Sequence, residues 1–326
     1  MRLDAAVDAD LPLREAATVA RRAEAAGIAG LWTTEIKHDP FLPLVAAASA
    51  TERIELGTAV AVAFARSPLV TAATAWDLAR ASGGRFILGL GSQVRAHVVR
   101  RFGMPWSGRP VAQMREYVTV VRAAWSAWLT GTPPSFRGET YRFTLMTPFF
   151  DPGPIEHPEI PIYLAAVGPG MVRLAGEVAD GLVIHPLHSR AYLEDVILPT
   201  IATAATDAGR EASAMRLSAS VIVATDDDEI ADARRTIGFY ASTPTYRGLL
   251  DHHGWGAEAD ALANHARHGR WDEMASVVTD AMVDAFAVVS PPADLRSALE
   301  RHADGLIDRV APYPPFGSGP WQALLP

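Results

Sequence analysis

Two hydrophobic spacings alternate along this chain: short continuous apolar runs and longer stretches of helical period. The clearest unit spans residues 54–91, reading IELGTAVAVAF, then RSPLVTAATAWDLARASGGRF, then ILGLG. Its two flanking runs are apolar on both faces, as strands are when helices cover both sides of a parallel sheet. The same reading predicts strands at residues 3–7, 30–34, 54–63, 86–91, 160–167, 181–185, 216–224 and 307–313. Helices are predicted at 12–26, 41–51, 68–81, 111–129, 170–179, 192–208 and 292–303, with a broken helical region from 227 to about 286. Gly27 stands where a helix ends in the left-handed conformation, and Pro40 where a helix start needs no N–H.

Eight strand-type segments alternating with helices predict a (β/α)8 TIM barrel, with a doubly wound open sheet as the second choice. Irregular Gly-, Pro- and aromatic-rich stretches predict insertions after strands 4 and 7. No compositional break suggests a linker, so residues 1–326 read as a single barrel domain. Chemistry in such barrels sits at the C-terminal ends of the strands. Residues 64–66 and 91–95 are therefore the first places to look.

Composition narrows the function classes. The chain has 326 residues and a net charge of −8, which speaks against nucleic acid or an acidic membrane as partner. It has no cysteine, which excludes disulfides, thiolate nucleophiles and Cys-ligated metal. Its N-terminus lacks a signal-peptide pattern and no apolar run is long enough to span a bilayer, so a cytoplasmic protein is expected. Lys37 is the only lysine among many arginines, a compositional bias that says nothing about function.

The motif Gly89-Leu-Gly91-Ser-Gln-Val94 fails as a dinucleotide fingerprint, because Val94 stands at the third glycine position. Gly91 reads instead as a backbone position that lets a flat ligand approach. Residues 78–115 contain no acid but seven arginines: Arg80, Arg85, Arg95, Arg100, Arg101, Arg109 and Arg115. Arg95, just past a strand, is the best anion-binding candidate among them. In Ala165-Ala-Val167-Gly168-Pro169-Gly170-Met171 a strand ends, a tight turn follows and a helix begins, which suits an anion on the helix amides. Glu35, Lys37, His38 and Asp39 follow the second strand, and Glu35 and His38 are candidate proton donors. His185 closes the sixth strand and is a third. His252, His253, His265 and His268 lack metal-site spacing, so no metal site is expected. Trp106, Phe149, Phe150, Tyr246 and Trp255 either line an apolar pocket or pack the insertions down.

Together these residues resemble the luciferase-like monooxygenase superfamily, and within it the coenzyme F420-dependent oxidoreductases. The resemblance runs through HDPFLPLVAAASAT (38–51), IELGTAVAVAFARSP (54–68), SGGRFILGLGSQVRAH (82–97), IYLAAVGPGMVRLAGEVADG (162–181) and FYASTPTYRGLLDHHGW (239–255). It implies a barrel with a flavin-type ring at the C-terminal mouth. It also implies a non-proline cis peptide and bulge within residues 61–64, so that Ala61, Val62 and Ala63 lie beneath the ring. It implies phosphate contacts at Ser92–Arg95 and Gly168–Met171, which makes Gly91, Ser92, Arg95, Val167, Gly168, Pro169, Gly170 and Met171 the remaining cofactor-binding candidates. The expected activity is hydride transfer between F420 and a small organic substrate in a homodimer, with the proton supplied by His38, Glu35 or His185. An FMN-dependent monooxygenase and a non-catalytic flavin-binding barrel are the alternatives.

Overall fold

The computed structural model describes residues 1–325. Its strands in chain order are β1 (Arg2–Ala6), β2 (Gly30–Thr33), β3 (Glu55–Thr58), β4 (Ala61–Val62), β5 (Phe86–Gly91), β6 (Phe136–Arg137), β7 (Arg142–Phe143), β8 (Ile162–Ala165), β9 (Gly181–Ile184), β10 (Arg216–Ala224), β11 (Ala287–Val289) and β12 (Arg309–Pro312). Apart from the β6–β7 hairpin, the pairings recorded by register are parallel. Strands alternate with helices in the (β/α)8 manner. The chain divides into two compact units, one made of residues 7–165 and 178–181, the other of 1–6, 166–177 and 182 onward.

In the first unit, β2, β3, β5 and β8 form a parallel array, with Gly30 opposite Glu55, Leu56 opposite Phe86 and Leu88 opposite Ile162. Leu56, Leu88, Leu90, Ile162 and Leu164 are fully buried, which accounts for the unbroken apolar runs. The helix Pro68–Ser82 starts on Ser67, whose Oγ accepts from the amides of Leu69 and Val70, and stops at Gly83 with φ +62°. It packs on the helix Pro110–Thr130 through a Thr71–Tyr117 hydroxyl pair and an indole bond from Trp125 to Ala72 O at 3.0 Å.

The third predicted strand is not continuous. It breaks after Thr58, the Ala59–Val60 peptide is cis, and β4 resumes on Leu90 and Gly91 of β5. The bulge therefore begins at Ala59, two residues before the expected 61–64. Bonds from Thr34 Oγ1 to Ala59 O and from the Ala59 amide to Thr33 O hold the chain at that point, and Ala59 and Val60 are partly exposed whereas Ala61, Val62 and Ala63 are buried.

In the second unit, β12 lies between β1 and β10, and β10 also pairs with β9 and β11. Asp4 and Arg309 form a buried fork between β1 and β12, at 2.6 and 2.9 Å. The predicted broken helical region is a set of helices closing on Ile237, Leu250, Leu262, Met282 and Phe286. It ends in β11, an Ala-Val-Val run too short to stand out beside the preceding helix.

Candidate active site

In the first unit the site is built around Glu35, which follows β2 and is buried. Its Oε1 accepts from Arg66 Nη2 at 2.8 Å. Its Oε2 accepts from Arg66 Nη1 at 2.6 Å and from the Val62 amide at 2.6 Å. Arg66 Nη1 also donates to Val62 O at 3.0 Å, and the Glu35 amide donates to Val60 O at 3.2 Å. Arg66 lies over the Phe41 ring, 5.4 Å from its centroid. Both carboxylate oxygens of Glu35 are thus committed to the chain itself.

The neighbouring residues of the 35–39 stretch separate by role. Lys37 is taken up by Asp10 at 2.6 Å. Asp39 Oδ1 accepts from the amides of Phe41 and Leu42 at the start of the helix Leu42–Ala50. His38 is exposed to solvent, which leaves its ring accessible for proton exchange.

Gly91 is required by a neighbour within the chain. A Cβ built there would lie 2.6 Å from Val60 Cγ2, so the missing side chain makes room for the bulge. Gly89 is tighter still, with its virtual Cβ 1.7 Å from Thr58 O. Thr58 Oγ1 clamps the same residue, donating to Gly89 O at 2.6 Å and accepting from its amide at 3.0 Å. Ser92 is partly exposed and Arg95 exposed at the start of the short helix Arg95–Arg100.

The arginine-rich span disperses. Arg85 is spent on the carbonyls of Ala48, Thr51 and Ile54, Arg109 pairs with Glu139, and Arg101 bonds to Ile36 O.

In the second unit, Val167 and Gly168 lead into the helix Pro169–Val178. Gly168 O accepts from the amides of Met171 and Val172, both at 3.1 Å. Gly168 does not have a positive φ, and nothing lies within 4 Å of its virtual Cβ. Neither backbone strain nor protein packing requires glycine there. The open face at a helix N-terminus is what the close approach of an anionic group would need.

His185 directly follows β9, and its Nδ1 accepts from the Leu187 amide at 3.0 Å, which places the proton of the neutral ring on Nε2. Its ring packs against Tyr240 and Tyr246, with centroids 4.5 and 4.8 Å away. Burial, with a smaller contribution from His188, pushes its pKa down to about 3. The imidazole is neutral at neutral pH and holds no extra proton to release. His188 is buried, with Nδ1 2.8 Å from His185 O and Nε2 3.2 Å from His302 Nε2. Burial first and His302 second lower its pKa to about 4. A narrow cavity of about 30 Å³ lies beside these histidines, lined by Val167, Ile184, Leu193 and Thr245 among others, roughly enough for one water.

Sequence reasoning marked Arg66 as part of a strand end and Glu35 as a candidate proton donor, but not that the two pair. It missed Val60 and His188. The only available signal for His188 was a second histidine three residues after His185, in HPLH. Among the described residues no cluster of His, Cys, Asp or Glu could hold a metal ion. None of the helices described is long and apolar enough to cross a membrane.

Comparison with known proteins shows the family and the fold. The luciferase-like monooxygenase family model matches residues 1–309. An uncharacterized protein of Mycobacterium tuberculosis is 46% identical over 314 residues, covering 94% of this chain and 92% of that protein. The 5,10-methylenetetrahydromethanopterin reductase of Methanolobus tindarius is 29% identical over 321 residues, covering 96% and 94%. The solved coenzyme F420-dependent tetrahydromethanopterin reductase of Methanopyrus kandleri superposes with a TM-score of 0.77 at 23% identity, covering 99% of this chain and 96% of that one. That likeness shows the fold, a closed eight-stranded parallel barrel ringed by helices.

Proposed function

The chain belongs to the luciferase-like monooxygenase family of oxidoreductases, and on that footing we propose that it transfers hydride between coenzyme F420 and a small organic substrate. The observation that carries this reading is Gly168. It is a glycine that the protein's own backbone and packing do not require, at the start of a helix, in a chain whose relatives include F420-dependent reductases.

F420, when bound, supplies the hydride chemistry at its deazaflavin ring. The chain's residues supply orientation and protons. The backbone and side chain of Val60, carried on Ala61, Val62 and Ala63, form the apolar floor assigned to the ring. Gly91 leaves space for that floor. Each unit by itself offers groups suited to an anionic, phosphate-bearing part: Ser92 and Arg95 in the first, and the helix start at Val167, Gly168, Pro169, Gly170 and Met171 in the second. Charge-assisted bonds from a guanidinium and helix amides suit that group.

His38 is the proton donor of this reading, because its ring is accessible. Glu35 is displaced from that role by the engagement of both its oxygens. His185 is a neutral hydrogen-bond donor through Nε2.

The test separates hydride transfer from oxygen chemistry. The chain is mixed anaerobically with reduced F420 and a panel of small carbonyl and pterin acceptors, and in parallel with reduced FMN in air. Loss of reduced F420 without oxygen supports the proposal. Enzyme-dependent oxygen consumption with reduced FMN, and no reaction with F420, overturns it in favour of an FMN monooxygenase.

A further inference from the structure

We infer that Glu35 and Arg66 are a positioning pair that holds the Val60–Val62 backbone in the shape the cofactor ring requires. The inference rests on the proposed F420 reading for its functional consequence and on geometry for its structure. Three points on the bulge are pinned by two residues. Val60 O receives the Glu35 amide, the Val62 amide is received by Glu35 Oε2, and Val62 O receives Arg66 Nη1. The fork from Arg66 to both oxygens of Glu35 fixes the carboxylate's orientation, as a bidentate pair does and a lysine cannot.

The pair is largely shielded, with side-chain exposures of 16% for Arg66 and 7% for Glu35. Its interactions are therefore little screened by solvent. The elements that carry it are independently anchored. Thr34 Oγ1 donates to Ala59 O at 3.0 Å, and the Ala59 amide donates to Thr33 O at 2.7 Å. Arg66 also approaches Asp39 Oδ2 at 3.8 Å, which ties the bulge to the stretch that bears His38. Loss of the Glu35 charge leaves Arg66 without its fork and loosens the Val62 amide. Loss of Arg66 frees the Glu35 carboxylate to turn away from Val62. Either change alters the same short piece of backbone, so neither acts as a proton donor would.

The experiment compares Glu35→Gln, Arg66→Lys and the double variant with the unmodified chain. Circular dichroism and thermal melting first establish that each variant is folded at the assay temperature. Fluorescence titration then gives F420 affinity, and steady-state turnover separates KM from kcat. The expected result is a fall in affinity of about tenfold or more in each single variant, with a matching rise in KM. The double variant is expected to be no worse than the worse single one, because both act through one unit. The pH profile keeps its limbs.

Amide exchange at Val62 reports the pinning without any cofactor and is expected to quicken about tenfold or more in Glu35→Gln. If Glu35→Gln keeps its affinity and loses kcat and a pH limb, Glu35 is a proton donor and the inference is overturned. Unchanged Val62 exchange overturns it as well. If the unmodified chain binds no F420, the functional proposal fails instead, and the exchange comparison still decides the inference.

Discussion

Replacing Gly91 by alanine perturbs the bulge without touching any ionisable group. The new methyl would meet Val60 Cγ2 at 2.6 Å. Ordinary carbon contacts lie near 3.5–4 Å, so something must move by about 1 Å. The next atoms, Val60 Cβ at 3.7 Å and Ala165 Cβ at 3.8 Å, are already at normal contact, so the clash is with one methyl group only. Overpacking of this kind costs about 1–3 kcal/mol. Val60 is partly exposed and can yield, which puts the expected loss of stability near the low end. The affinity cost is larger in consequence, since the yielding residue is the proposed floor of the cofactor site.

Urea denaturation gives the stability change and F420 titration the affinity change. Gly91→Ala is expected to lose about 1 kcal/mol of stability and about tenfold in affinity. Adding Val60→Ala removes the offending Cγ2, so the double variant is expected to regain most of the lost stability. Gly89→Ala provides the contrast. Its methyl would fall 1.7 Å from a backbone oxygen, which no side-chain change can relieve, and it is expected not to fold. A stable Gly91→Ala with unaltered affinity, or a double variant whose losses simply add, would refute the reasoning.

Gly168→Ala is expected to change stability by less than about 0.5 kcal/mol, because its side chain would point into open space, while F420 affinity falls measurably; unaltered affinity would remove Gly168 from the cofactor site. The buried histidines make a pH signature. Both His185 and His188 have folded-state pKa values, about 3 and about 4, below the ordinary imidazole value of 6.5. As pH falls below 6.5 the unfolded chain takes up protons that the folded chain refuses, so stability is present above that value and declines toward pH 4. The slope is up to about 1.4 kcal/mol per pH unit for each histidine. His188→Gln is expected to flatten this decline in urea midpoints measured between pH 7 and pH 4.5, and an unchanged slope would contradict the assignment.

The barrel was legible because its strands are buried on both faces and so appear as unbroken apolar runs between Pro and Gly stops. The predicted strands at 86–91 and 216–224 coincide with β5 and β10. The break in the third strand was not legible. Ala-Val-Ala-Val-Ala reads equally well as a continuous strand, and the contacts that interrupt it come from Thr34 and Glu35, more than twenty residues away. Gly91 was read as a place where a flat ligand approaches, and its crowding by Val60 was not legible, because only folding brings Val60 there. The positive character of residues 78–115 misled in part. Arg85 was counted in an anion-attracting span, yet its guanidinium is spent on the carbonyls of Ile54, Ala48 and Thr51. Glu35 and His38 stood equal as proton donors in sequence. Their distinct environments, one engaged and buried and one exposed, depend on Arg66 and on the path of the chain after β2.

The most direct test of the central claim is a parallel fluorescence titration of the purified chain with F420 and with FMN. Saturable F420 binding much tighter than FMN binding is the expected result. Tight FMN binding with no F420 binding would contradict the account.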